Sequence, residues 1–200
     1  MTDQDPCTLK TDEELVALTL IDREQYACLI KKYEAPLARY VRRIAGLSDD
    51  DIADVLQNAF INAYRNLNDF DPTLKFSSWI YRIAHNEAIS HHRKRIARPQ
   101  TISVEEGDDV FELLASEVDV PRDVDRKMAA RRIRSILDVM DPKYRDVLVL
   151  KFLEDKDYRE ISDILQKPMG TVATLINRAK KQFYIRSRKN RSNRDHDGCF

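Results

Sequence analysis

The chain has 200 residues, 42% hydrophobic and 34% charged, with 34 Lys/Arg against 34 Asp/Glu and only four glycines. That length accommodates one domain or two small ones, and so few glycines with long 3.6-residue periodicity predict an all-helical fold. No run reaches the roughly 18 apolar residues of a membrane span, and the acidic start MTDQDPCTLKTDEE lacks an apolar signal core, so a soluble cytoplasmic protein is expected.

The zero net charge hides segregation. Residues 105–125 carry nine carboxylates against Arg122 alone, whereas residues 166–194 carry nine Lys/Arg and no carboxylate. Such asymmetry points to a polyanion partner for the basic part. Cys7, Cys28 and Cys199 make no CxxC pair and are odd in number, which predicts reduced thiols. His91 and His92 are neighbours and diverge by about 100° on a helix, so they do not chelate as an i,i+4 pair does. No metal and no cofactor is expected.

Thr11 and Glu14 have capping-box spacing, which predicts a first helix to about Ile21. A second starts near Arg23, with Tyr26, Leu29, Tyr33, Leu37, Tyr40, Val41 and Ile44 on one side; Pro36 should kink it and Gly46 stops it. Ser48 and Asp49 then cap the cleanest helix, Asp50–Leu67, roughly 27 Å long. Its core stripe is Ile52, Val55, Leu56, Ala59, Phe60, Ala63, Tyr64 and Leu67, and its opposite face carries Asp50, Asp54, Gln57, Asn58 and Asn62.

After a loop signalled by Asp71 and Pro72, the stretch FDPTLKFSSWIYRIAHNEAISHHRKRIAR combines an aromatic start with a basic end. It holds the only tryptophan, Trp79, and between Glu87 and Glu105 there is no acidic residue. Ile80, Ile83, Ala84 and Ala88 recur at core spacing, leaving Tyr81, Arg82, His85 and Asn86 outward. Aromatic rings near unpaired cations suit a nucleic-acid strand, with bases stacked and phosphates held by Arg93, Lys94 and Arg95. Read alone, the same pattern fits an amphipathic core helix with a solvated basic end. Pro99 closes a first domain, 11–98.

Residues 99–127 form an acidic flexible linker broken by Gly107 and Pro121. The second domain, 128–187, starts with Ile133, Ile136, Leu137 and Met140 on one face. Asp141 before Pro142 marks a helix restart, with Tyr144, Val147, Leu148 and Phe152 facing its core. Asp157 and Glu160 cap a short helix, Gln166–Pro168 break it, and Val172, Ile176, Ala179 and Phe183 carry the last one. That layout is a helix-turn-helix. Thr174, Asn177 and Arg178 are chemically able to read base edges, while Lys180, Lys181 and Arg186 suit phosphates. Residues 188–200 read as a disordered basic tail.

Four segments, in order across roughly Thr11–Arg188, resemble one family. TDEELVALTLIDREQYACLIKKYEAPLARYVRRI is similar to the opening helices of extracytoplasmic-function (ECF) RNA polymerase sigma factors. DDDIADVLQNAFINAYRNL resembles their core-polymerase-binding helix, FSSWIYRIAHNEAISHHR their promoter-melting region, and DYREISDILQKPMGTVATLINRAKKQF their second-domain helix-turn-helix. The resemblance implies a first domain (sigma-70 region 2) that binds core polymerase and opens the −10 element, and a second (region 4) that binds the −35 element. It places Asp54, Gln57 and Asn58 on the polymerase-binding face. Phe70 falls in the loop holding a flipped-out base, Asn86 beside that pocket, and Trp79 at the wedge by the first melted pair. Thr171, Thr174, Asn177, Arg178 and Lys181 fall on the DNA-facing part of the recognition helix.

The implied partners are core RNA polymerase, promoter DNA as duplex and melted strand, and an anti-sigma factor. Three positions depart from the family pattern: Asn58 replaces a usual glutamate, and Ala173 and Leu175 stand where basic residues are frequent. No nucleophile–base arrangement or phosphate loop suggests an enzyme. The alternative is a helix-turn-helix regulator that binds duplex DNA without engaging polymerase; it has no use for an aromatic melting segment.

Overall fold

The computed structural model describes residues 7, 9–97 and 123–196, among which there are eight α-helices and no strand. The chain divides into two compact units. The first holds helices α1 (Asp12–Ile21), α2 (Tyr26–Ala45), α3 (Asp49–Arg65) and α4 (Phe76–Ala97). The second is built on α5 (Asp123–Asp138), α6 (Pro142–Phe152), the start of α7 (Tyr158–Leu165), and α8 (Met169–His196).

Local chemistry sets the helix ends. Thr11 Oγ1 accepts from Glu14 N while Glu14 accepts from Thr11 N, so two orphan donors of the first turn of α1 are satisfied reciprocally. A three-residue 3-10 turn, Arg23–Gln25, precedes α2, which begins at Tyr26 rather than Arg23 and runs through Pro36 without a break. Gly46, at φ 56°, ends α2 in the left-handed conformation that glycine adopts without a Cβ penalty. Ser48 then accepts from Asp51 N to open α3.

The first unit packs α4 antiparallel to α3 and parallel to α2, as the cross-helix contacts show. Asn62 Nδ2 donates to Glu87 at 2.7 Å, near the opposite end of α3 from the contact of Asp51 with Arg95, and Tyr40 Oη lies 2.9 Å from His85 Nδ1. Ala59 and Ala63 on α3 and Ala84 and Ala88 on α4 are fully buried, and small residues let helix backbones approach closely. Leu15, Leu29, Leu37, Tyr40, Ile44 and Ile80 fill the rest of the core, each aliphatic one stabilising by about 1.5–3 kcal/mol. Tyr33 is buried with its hydroxyl donated to Asp12, and burial pushes its phenol well above the usual range.

In the second unit α6 and α8 form the main contact, with Val147, Val149, Leu150, Val172, Ile176 and Ala179 fully buried. Asp141 caps α6 ahead of Pro142, and Asp157 and Glu160 exchange backbone and side-chain bonds at the start of α7. The turn into α8 places Gln166 at φ 52°, with Ser162 Oγ donating to Lys167 O and Gln166 Nε2 to Asp163 O.

Five expectations are corrected. Cys7 and Cys28 are joined in a disulfide, not reduced thiols, because the α1 hairpin returns residue 7 to α2. Tyr81, placed outward by spacing, is buried at 3%, its ring tilted against Tyr40 at 5.1 Å. Phe152, assigned to the core, is 50% exposed at the last residue of α6, with Lys180 Nζ 5.1 Å from its ring. The last helix does not stop at residue 187 but continues to His196, and α5 begins at Asp123, inside the span assigned to the linker. The rest of that linker, and residues 197–200, lie outside the described residues.

Candidate polymerase and nucleic-acid interfaces

Three surfaces carry the predicted residues. On the first unit, Asp54, Gln57 and Asn58 are all exposed on α3. Asp54 and Gln57 line an open groove of about 620 Å³ between α2 and α3, together with Tyr26, Ile30, Ile61 and Tyr64; Asn58 lies outside its lining. Ile61 is 41% and Tyr64 38% exposed, so the groove offers apolar surface rimmed by Asp54 and Gln57. Tyr26 Oη donates to Phe60 O at 2.7 Å, and its ring sits 5.0 Å from that of Tyr64. Burial, with Tyr64 nearby, holds the Tyr26 phenol neutral by raising its pKa. The sequence reading put Tyr64 in the core and did not single out Ile30 or Ile61. Their only signal was an apolar position at the edge of a stripe.

The second surface is on α4. Phe70, Phe76 and Trp79 form a ring cluster, with centroids 5.5 Å (Phe70–Phe76), 5.4 Å (Phe70–Trp79) and 5.6 Å (Phe76–Trp79) apart. Phe70 and Trp79 are each 8% exposed, so both belong to the packed side. The loop that brings Phe70 there is closed by Asp71, whose Oδ1 accepts from Thr73 N at 2.9 Å; that bond lowers the carboxyl pKa. Asn86 and Arg93 are exposed. Trp79, Asn86 and Arg93 are spaced by sevens, so they share one stripe of α4 at intervals of about 10.5 Å. A buried aromatic ring, an exposed amide and an exposed cation follow one another along that stripe. Lys94 is also exposed, but Arg95 Nη1 faces Asp51 Oδ2 at 3.4 Å, with His91 Nε2 3.5 Å from Oδ1 of the same carboxylate.

The third surface is on α8. Thr171, Thr174, Asn177, Arg178 and Lys181 are all exposed, while Val172, Ile176 and Ala179 on the other side are fully buried. Thr174 Oγ1 donates to Gly170 O at 2.9 Å, leaving its oxygen lone pairs to accept. Lys143, at the start of α6, lies within electrostatic reach of Arg178 and is held by Asp141 at 2.9 Å. Lys143 therefore extends the basic surface, and the sequence reading missed it. Among the described residues no cluster of His, Cys, Asp or Glu could hold a metal ion, and no helix is long and apolar enough to cross a membrane.

Residues 29–97 match the family model for sigma-70 region 2, and residues 130–183 match that for sigma-70 region 4. The chain is 32% identical over 167 residues to the ECF RNA polymerase sigma factor SigW of Bacillus subtilis (strain 168), covering 80% of this chain and 87% of that one. It is 30% identical over 183 residues to the ECF RNA polymerase sigma-E factor of Escherichia coli (strain K12), covering 84% and 93%. Its fold is similar to that of CnrH, solved in complex with the cytosolic domain of CnrY (TM-score 0.64, 22% identity, 88% of this chain and 96% of that one). It is also similar to the sigma factor RpoE of Bartonella quintana, solved with the anti-sigma factor NepR (TM-score 0.58, 14% identity, 82% and 94%). The chain belongs to the ECF family of sigma-70-type RNA polymerase sigma factors.

Proposed function

We propose that this sigma factor binds core polymerase through the α2–α3 groove, opens the −10 element along α4, and reads the −35 element with α8. The observation that carries the reading is the Trp79–Asn86–Arg93 stripe with Phe70 packed beside its first member. A base pulled from the stack, at a cost of about a few kcal/mol, meets the Trp79 side of the aromatic cluster and the Asn86 amide while Arg93 and Lys94 take phosphates. The free energy of binding drives opening, and no catalytic group takes part.

Asp54 and Gln57 with Ile61 and Tyr64 give the groove a mixed apolar and acidic character that suits a basic, amphipathic helix of the polymerase. Thr171, Thr174, Asn177 and Arg178 would enter the major groove, with Lys143 and Lys181 on flanking phosphates. An anti-sigma protein is the further partner, one that would compete for these surfaces; the two solved complexes support this reading. The protein acts in the cytoplasm, where its template is.

Reconstitution with core polymerase on promoter DNA tests the proposal. Co-purification with core and open-complex formation on a −35/−10 promoter are expected. Duplex binding without any association with core would instead make the chain a plain helix-turn-helix regulator.

A further inference from the structure

Cys7 is bonded to Cys28 on α2 across a sequence separation of 21, with the Cα atoms 5.1 Å apart. Cys28 is 9% exposed, whereas Cys7, ahead of α1, is only half-buried. From this bond a line of contacts runs inward. Asp12, the first residue of α1, accepts from Tyr33 Oη and pairs with Lys32 Nζ. The Tyr33 ring meets Phe76 edge-on at 5.5 Å, and Phe76 packs on Phe70 and Trp79. The disulfide thus pins the segment whose Asp12 holds the ring that supports the aromatic cluster.

We propose that Cys7 and Cys28 are a reversible thiol–disulfide site that responds to low-molecular-weight disulfides and sets how firmly α1 supports the Phe70–Phe76–Trp79 cluster. The more accessible Cys7 thiolate attacks the small disulfide, forming a mixed disulfide and releasing one small thiolate. Cys28 thiolate then attacks Cys7 Sγ, forming the internal bond and expelling the second small thiolate. Two protein thiols lose two electrons in all, one small disulfide gains them, and the two protons end on the two released thiols. Excess small thiol reverses both steps. In the reduced protein the segment ahead of α1 loses its covalent tie to α2 while the Thr11 cap and the Asp12 contacts remain, and a closed loop is lost from the restraints on the unfolded chain. The bond and the contacts that lead from α1 to Trp79 stand on geometry; only a consequence for promoter opening rests on the proposed function.

The experiment uses the full chain carrying Cys199→Ser, equilibrated in graded mixtures of reduced and oxidised glutathione. Alkylation counted by mass spectrometry, Trp79 emission and thermal melting are read on each sample. The expected result is reversible loss of two alkylation sites with a parallel change in Trp79 emission. The oxidised form should melt at least ~5 °C above the reduced one. Adding Cys7→Ser should abolish the emission change and hold melting at the reduced value; should that variant fail to fold, reduced protein is the comparator.

Alkylation of both thiols at every glutathione ratio overturns the site. A bond that forms with unchanged Trp79 emission overturns its link to the cluster. If neither redox form opens a promoter while the thiol titration and emission change persist, the proposed function fails and this site stands.

Discussion

Asp51, in the first turn of α3, holds the Arg95 guanidinium at 3.4 Å, so an acidic helix start faces the basic end of α4. Arg95 is 40% exposed and Asp51 27%, and His91 approaches the same carboxylate. A melted strand seeking Arg95 must compete with Asp51 for it. Replacing Asp51 by Asn should release the guanidinium and raise affinity for single-stranded −10 DNA by about two- to threefold at low salt, the range of a partly exposed ion pair. Fluorescence anisotropy measures this; an unchanged affinity would show that Arg95 does not reach the strand.

Asn86→Ala and Arg93→Ala alter exposed side chains, so melting temperatures should stay within about 2 °C of wild type. Open-complex formation should nevertheless fall in both, and Arg93→Ala should flatten the salt dependence of single-strand binding by about 0.7 in log–log slope. Trp79→Ala is the poorer test. At 8% exposure its loss should cost about 3–5 kcal/mol of the unit's stability, whereas Trp79→Phe keeps an aromatic ring in the cluster. Full opening by Asn86→Ala would move the strand off this stripe.

On α8, Arg178→Ala should weaken binding to a cognate −35 duplex by about 1–3 kcal/mol and relax preference at one base pair. Lys143→Ala should weaken cognate and scrambled duplexes alike, because a phosphate contact carries no sequence information. Competition binding against both duplexes separates the two. Equal losses on both from Arg178→Ala would reassign that residue to the backbone.

Asp146 is 6% exposed in α6, with Arg145 Nε 3.7 Å away and Oδ1 without a hydrogen-bond partner among the described residues. Burial outweighs Arg145 and Lys167 and pushes its carboxyl pKa up to about 7. Between about pH 4 and 7 the folded unit therefore holds a proton that the unfolded chain has released, and stability falls as pH rises across that window. The loss is on the order of 4 kcal/mol by pH 8. Asp146→Asn should remove most of the slope and stabilise the unit at pH 8. A residual slope of the same sign is expected from Asp138, whose carboxyl burial also raises. Urea unfolding at pH 5 and pH 8, followed by far-UV circular dichroism, measures it.

Gln166 occupies the left-handed region at φ 52°, which costs a non-glycine residue roughly 1 kcal/mol. Gln166→Gly relieves that cost but gives up the Nε2 bond to Asp163 O, whose net worth is smaller at an exposed site. A gain of about 0.5 kcal/mol is expected in chemical denaturation. A loss would mean that the Asp163 bond outweighs the backbone.

Helix positions and caps were legible because they depend on neighbours in sequence. Thr11, Ser48, Asp141 and Asp157 each form the predicted cap. What spacing does not encode is how far a stripe is covered by its partners. Tyr64 and Phe152 sit on apolar stripes yet lie at rims, and Tyr81 looks outward on α4 yet is covered by Tyr40. The Cys7–Cys28 bond depends on a helical hairpin closing across 21 residues, which no cysteine count shows. Chemistry singled out the aromatic-to-basic run of α4, but the distinct roles expected of Phe70, Trp79 and Asn86 rest on family resemblance.

The Gly46 turn also bears on timing during synthesis. Only three residues separate α2 from α3, and Arg42 reaches across them to Asp49 at 2.5 Å, so this hairpin is a local, low-contact-order structure. Both walls of the α2–α3 groove exist once Arg65 has emerged from the ribosome, about a hundred residues before α8 begins. At translation rates of about 5–20 residues per second, that is a lead of roughly 5–20 s. A protein that grips the groove can therefore take hold of a nascent chain before α8 has been made.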